Sequence, residues 1–142
     1  MASIFILEDT TERIEEFKNI FKNHLDNVYI ATNYEEALSL LSSIPFDILF
    51  LDHDLGGNQI VTKDNWEKFL ETEEKSGSDV ARWLIENITN SPLIVVHSYN
   101  PYGAKNMLDI LTKAGFQVIL APFYTKPFFK TIEDIKTKLG LY

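Results

Sequence analysis

Four carboxylates and two histidines stand at the ends of apolar runs in this chain. Glu8 and Asp9 follow Ile4-Phe5-Ile6-Leu7. Asp52, His53 and Asp54 follow the run from Phe46 to Leu51, and His97 and Ser98 follow Leu93 to Val96. A continuous apolar run is how a parallel strand buried on both faces reads. In open α/β sheets the ligand crevice lies outside the carboxyl ends of the strands. Two unit charges about 4 Å apart repel by roughly 4 kcal/mol at an effective dielectric near 20. Glu8, Asp9, Asp52 and Asp54 in one crevice therefore call for a cation or shared protons. Oxygen ligands favour Mg²⁺, with Mn²⁺ or Ca²⁺ as alternatives.

The histidines add nitrogen chemistry. If Asp52 and Ser98 point into the same crevice, side-chain alternation puts His53 and His97 on the opposite parity. On adjacent strands they would then face each other. Two imidazoles at one rim suit acid/base chemistry on a phosphoester or supply further ligands to a metal. The plainer reading is two buried structural histidines. His24, near a helix end, reads as a surface residue. Ser98 either binds a phosphoryl oxygen or caps its loop. Asn100 and the peptide groups of residues 99–103 lie at a helix N-terminus, a natural anion site. Gly56 and Gly57 let backbone amides approach a phosphate. The nearby cations are Lys63, Lys105 and Lys126.

Five βα units must position these groups. Apolar runs alternate with helical patterns throughout, the signature of a parallel sheet. Strands are predicted at residues 4–7, 28–31, 46–51, 93–96 and 116–120. The first helix carries Ile14, Phe17, Ile20 and Phe21 and is capped by Thr10 or Thr11. The second follows two overlapping capping boxes, Thr32/Asn33 with Glu35/Glu36. The third starts near Ser78-Asp79. The fourth starts at Asn100-Pro101 and stops at Gly115. The fifth buries Phe128, Ile132, Ile135 and Leu139. We expect a flavodoxin-like (βα)5 three-layer sandwich with strand order 2-1-3-4-5. Residues 56–76 are polar and read as an insertion or lid after strand three.

The bulk properties narrow the function. The chain has 142 residues, 45% of them hydrophobic, and a formal net charge of −8. That predicts a single domain over 1–142 and argues against nucleic-acid binding through a broad basic surface. A local site for one phosphate-bearing end is compatible with it. There are no cysteines, so disulfides and thiolate chemistry are excluded. No apolar run approaches the roughly 20 residues that span a bilayer, and the N-terminus lacks the pattern of a signal peptide. A cytoplasmic protein without membrane contact is expected.

Glu8-Asp9, the run from Asp47 to Asp52, and Ser98 resemble a response-regulator receiver domain over nearly the whole chain except 56–76. The resemblance implies that the acidic pair and Asp52 hold Mg²⁺, that Asp52 accepts a phosphoryl group, and that Ser98 reads the result. Asp54 falls where that family uses a backbone carbonyl for the metal. Receivers carry a Lys-Pro after strand five. Lys126-Pro127 lies too far from Gly115 for that role, and Ala121 stands at the corresponding place. Longer motifs are similar to the divergent cyclic-phosphate-processing receivers: Leu51 to Gly57, Ser76 to Leu84, His97 to Ala104 with Met107, and Pro122-Phe123. That family implies two added histidines and action on cyclic phosphate ends, as in RNA repair.

The leading expectation is a metal-dependent phosphoesterase acting on a cyclic phosphate of a nucleotide or RNA end. In it Glu8, Asp9, Asp52 and Asp54 bind metal, His53 and His97 serve with Asp52 in catalysis, and Ser98, Asn100, Gly56 and Gly57 hold substrate. The alternative is a stand-alone receiver phosphorylated on Asp52 that binds a protein partner through its helix-four face.

Overall fold

The computed structural model describes residues 2–55 and 75–141. Gly56, Gly57 and Lys63, and with them most of the expected insertion, lie outside the described residues. Five parallel strands, β1 (Ile4–Leu7), β2 (Val28–Ala31), β3 (Ile48–Leu51), β4 (Leu93–Val96) and β5 (Gln117–Leu120), form one sheet in the order β2-β1-β3-β4-β5. This is the expected flavodoxin-like arrangement. Among the described residues five helices connect and cover them: α1 (Thr11–Ile20), α2 (Tyr34–Ser43), α3 (Gly77–Asn87), α4 (Pro101–Lys113) and α5 (Lys126–Leu139). A 3₁₀ segment over Lys22–Asn27, absent from the sequence reading, joins α1 to β2 and holds a half-buried His24.

The register is flush. Ile4 lies beside both Val28 and Ile48, Ile48 beside Leu93, and Leu93 beside Gln117. Alternation then divides the side chains cleanly. Phe5, Leu7, Leu49, Leu51, Ile94 and Val96 meet Ala37, Leu41, Val80, Leu84 and Met107 of α2, α3 and α4. Ile4, Ile6, Ile48, Phe50 and Val95 meet Phe17 of α1 and Phe128, Ile132 and Ile135 of α5. Each such fully buried side chain contributes about 1.5–3 kcal/mol. Two cores, one on each face, fix the sheet in place.

Strand and helix ends follow local hydrogen bonding. Phe46 stops short of β3 because its carbonyl accepts from the Asn90 side chain (3.0 Å). Phe116 stops short of β5 because its N–H closes onto Leu111 O at the end of α4 (3.1 Å). Helix α3 begins at Gly77, one residue before the expected start, because Ser76 and Asp79 form a reciprocal capping box. Asn33 accepts from Glu36 N (2.8 Å) to start α2. Gly140 ends α5 at φ 68°, a conformation glycine adopts freely. No helix among the described residues is long and apolar enough to cross a membrane.

Candidate metal and phosphate site

The flush register decides which side chains meet. One residue past each central strand the ladder continues, with Asp52 N bonded to Leu7 O and His97 N to Leu51 O, both at 3.1 Å. Leu7 pairs with Leu51 and Leu51 with Val96, so Glu8, Asp52 and His97 become lateral neighbours. All three fall on the α1/α5 face. One ligand atom from each lies within 4.8 Å of the others, and all three residues are buried.

This register corrects the expected pairing of the histidines. His97, not Ser98, stands beside Asp52, and the two imidazoles lie on opposite faces of the sheet. The His97 ring packs in a phenylalanine cage, with centroids 5.2 Å from Phe17 and 6.4 Å from both Phe50 and Phe123. The His53 ring packs under α4, where a Cβ on Gly103 would come within 2.3 Å of it. A pair of facing imidazoles is therefore not formed.

Each histidine instead holds an acid. His97 Nε2 donates to Glu8 Oε1 at 3.0 Å. His97 Nδ1 is buried without a hydrogen-bond partner among the described residues. The proton belongs on Nε2, because Glu8 is the one acceptor that the described residues offer. Ligation of a metal by Nε2 would move the proton to Nδ1, inside the cage, whereas ligating histidines pair that second nitrogen. His53 Nδ1 donates to Asp54 Oδ1 at 3.0 Å, and Asn100 Nδ2 donates to the same oxygen at 3.1 Å. Asp54 thus sits on the α4 side, outside the Glu8–Asp52–His97 group. Asp9 is also outside that group; its backbone N–H and that of Thr10 bind Glu8 Oε2, each at 3.1 Å.

Sequence reasoning missed the cation. Arg13 Nη1 lies 3.6 Å from Glu8 Oε1 and 4.0 Å from Asp52 Oδ2. Its guanidinium stacks over Tyr99 at 4.7 Å and near Phe123 at 5.5 Å. The signal was available: a helix starting at Thr11 directly after Glu8-Asp9 puts its first turn at the same rim. Lys105 and Lys126, the expected cations, are both exposed. Ala121 is buried at the end of β5, as expected.

The charges sort themselves accordingly. Burial pushes the Glu8 carboxyl upward, but the His97 hydrogen bond and charge, the Thr10 N–H and Arg13 outweigh it and hold Glu8 below the usual range. Asp52 goes the other way: burial first, then the neighbouring Glu8 charge, raise it well above the ordinary aspartate value. Burial lowers His97 despite its bond to Glu8. Burial and the Glu8 charge thus favour the protonated form of Asp52, while Glu8 is the acid favoured in its ionised form. The donor set fits a hard divalent cation on carboxylate oxygens. Asp52 Oδ1 accepts from His53 N (2.9 Å), while Oδ2 takes no hydrogen bond from the described residues and lies 4.0 Å from Arg13 Nη1, which leaves it able to face a cation.

The expected phosphate grip at α4 is otherwise employed. Ser98 Oγ accepts from Asn100 N (3.0 Å), so Ser98 caps the loop. Asn100 Oδ1 accepts from Tyr102 N (3.2 Å) and Gly103 N (3.0 Å), which takes up the amides an anion would use. Substituting His97 by leucine leaves Glu8 Oε1 without its short partner in a buried place. We expect a loss of about 2 kcal/mol in urea unfolding with an unchanged m-value.

A sequence model of the cyclic-phosphate processing receiver domain matches residues 5–113. The chain belongs to this family. Solved structures share the fold at low identity. A response regulator from Thermotoga maritima is 19% identical with a TM-score of 0.57, over 96% of this chain and 98% of its own. The N-terminal domain of an uncharacterized protein from Wolinella succinogenes is 20% identical with a TM-score of 0.64, covering 98% of this chain and 97% of that one. The Thermotoga maritima response regulator TrrA, solved with Mg²⁺ and BeF, is 18% identical with a TM-score of 0.61, over 95% and 99% of the two chains. No curated protein matches the sequence. Within this receiver, Glu8, Asp52 and His97 occupy the carboxyl ends of the three central strands, and Arg13 meets Glu8 and Asp52 from α1.

Proposed function

We propose that this receiver is a metal-dependent phosphoesterase that opens a cyclic phosphate on a nucleotide or RNA end. The observation that carries the reading is the fixing of Asp54, the carboxylate on the α4 side, by the buried His53. A site that only accepts a phosphoryl group on Asp52 has no use for a second carboxylate oriented from the other face. Asp54 is that carboxylate. Its Oδ1 is fixed by His53 and Asn100, and Oδ2 takes no hydrogen bond from the described residues.

Asp52, with Glu8 beside it and Asp9 next in the chain, would hold the cation, Mg²⁺ by its oxygen donors and Mn²⁺ as the second choice. When bound, that ion neutralises charge on the non-bridging phosphate oxygens. Arg13 supplies the fixed positive charge that the missing lysine would give. A water oxygen attacks phosphorus and one ribose P–O bond breaks. Asp54 takes the water proton and returns it to the departing ribose oxygen, leaving a phosphomonoester. His97 and His53 position Glu8 and Asp54 rather than touch the substrate.

The test offers Mg²⁺ or Mn²⁺ with a 2′,3′-cyclic nucleotide, and separately acetyl phosphate. Ring opening is expected. Asp54→Asn should slow it about 100-fold or more, and Arg13→Ala should raise KM roughly tenfold. A stable acyl phosphate, lost in Asp52→Asn and accompanied by no ring opening, would instead establish the signalling alternative.

A further inference from the structure

We propose that Tyr99 is the stacking platform for the base of the nucleotide whose phosphate lies on Arg13, beside Glu8 and Asp52, a step that rests on the phosphoesterase reading above. Arg13 covers Tyr99 at 4.7 Å on the side of the carboxylates, yet Tyr99 remains 54% exposed at the mouth of the site. The ring is fixed there, because its hydroxyl donates to the carbonyl of Phe123. One contact therefore separates the phosphate-binding guanidinium from a preset aromatic surface. That is the spacing a nucleotide presents, with a phosphate at one end and a flat base at the other.

The neighbouring loop extends the same surface. Tyr124 stacks on Phe123 at 4.5 Å and 10°, and on Phe129 at 5.0 Å and 30°. Tyr124 and Phe129 are 45% and 47% exposed. Tyr124 is the one non-glycine residue among the described ones with a positive φ, 62°, and its hydroxyl donates to Glu16. A bulky residue in the left-handed region is strained, and such strain gathers at ligand sites.

Charge selects the occupant. A net charge of −8 gives little attraction for a long phosphate backbone. Affinity for a nucleotide end must come from one local phosphate contact and from stacking, which any base supplies through its π-face.

The experiment compares a 2′,3′-cyclic nucleotide with the 2,3-cyclic phosphate of a base-free methyl riboside, in wild type, Tyr99→Leu and Tyr99→Phe. The proposal expects Tyr99→Leu to raise KM for the nucleotide at least tenfold more than for the base-free compound, with kcat changed far less. Tyr99→Phe should restore the difference. Equal losses on both compounds would show that Tyr99 acts only by supporting Arg13, and no loss on either would show that it is ornamental to binding; both overturn the proposal. If wild type opens neither compound, the phosphoesterase reading falls, and the same comparison is made by calorimetry with Mg²⁺ and a nucleoside 3′-monophosphate against ribose 3-phosphate. Tighter binding of the nucleotide, lost in Tyr99→Leu and regained in Tyr99→Phe, supports stacking. Equal binding, or none, overturns it.

Discussion

Gly77→Ala should destabilise the protein by about 3 kcal/mol or more, lowering the melting midpoint by roughly 10 °C. The sign is the point of interest. Alanine normally favours a helix over glycine by about 1 kcal/mol. Here the added methyl would lie 1.9 Å from the carbonyl oxygen of Asp52 and 2.9 Å from the Cα of His53. Gly77 N also donates to His53 O at 2.8 Å, so the first turn of α3 cannot back away without losing that bond. Both obstructing atoms are backbone, so no side-chain movement gives relief. Gly103→Ala is the informative comparison, because there the obstruction is the His53 ring. Pairing it with His53→Ala should recover much of its loss, a coupling that a double-mutant cycle measures. Gly77→Ala offers no such rescue. A Gly77→Ala protein as stable as wild type would contradict the seating of α3 on the end of β3.

Asp52→Asn should do the reverse, raising the stability of the metal-free protein by about 1–3 kcal/mol at neutral pH while removing its response to divalent cations. The Asp52 carboxyl is raised by burial and by Glu8. A group raised in the folded state contributes stability that is fully present below its unfolded value, near 4, and is lost as pH climbs through the folded value. Glu8 and His97 are both lowered, so their contributions run the other way and fade as pH falls. The gap between wild type and Asp52→Asn isolates the aspartate: it should widen as pH rises from about 4 and level off above the folded value. Adding Mg²⁺ should raise the wild-type midpoint at neutral pH and leave the variant where it was. Urea unfolding across pH, with and without Mg²⁺, checks both statements.

Most of the fold was legible because its signals are local. Four-residue apolar runs, caps such as Asn33 and Asn100, and stops such as Gly115 each act within a few residues. So was the nearness of Glu8 to Asp52, since chain order and the preferred strand order place β1 and β3 together. The partnering of those acids was not legible. It depends on whether Leu51 stands beside Val96 or beside its neighbour, and one residue of register reverses the face of every side chain beyond. The sequence carries no mark of that choice. Arg13 was overlooked for a different reason: it comes from a helix, while attention rested on strand ends. Asn100 was expected as a phosphate ligand; in the structure its oxygen caps α4 and its NH₂ holds Asp54.

The bond from His97 to Glu8 joins residues 89 apart in the chain. Asp52 lies between them in both sequence and space, so the acid cluster exists only once β1, β3 and β4 have all docked. No single βα unit, and no pair of them formed early in folding, contains a cation site. Loss of the cluster and loss of the central sheet are then one cooperative event. A bound cation should slow amide hydrogen exchange across all three strands by the same factor, including at Ile4 and Leu93 at the far end of the sheet, rather than protecting the rim alone. The site would act as a clasp on the whole sheet.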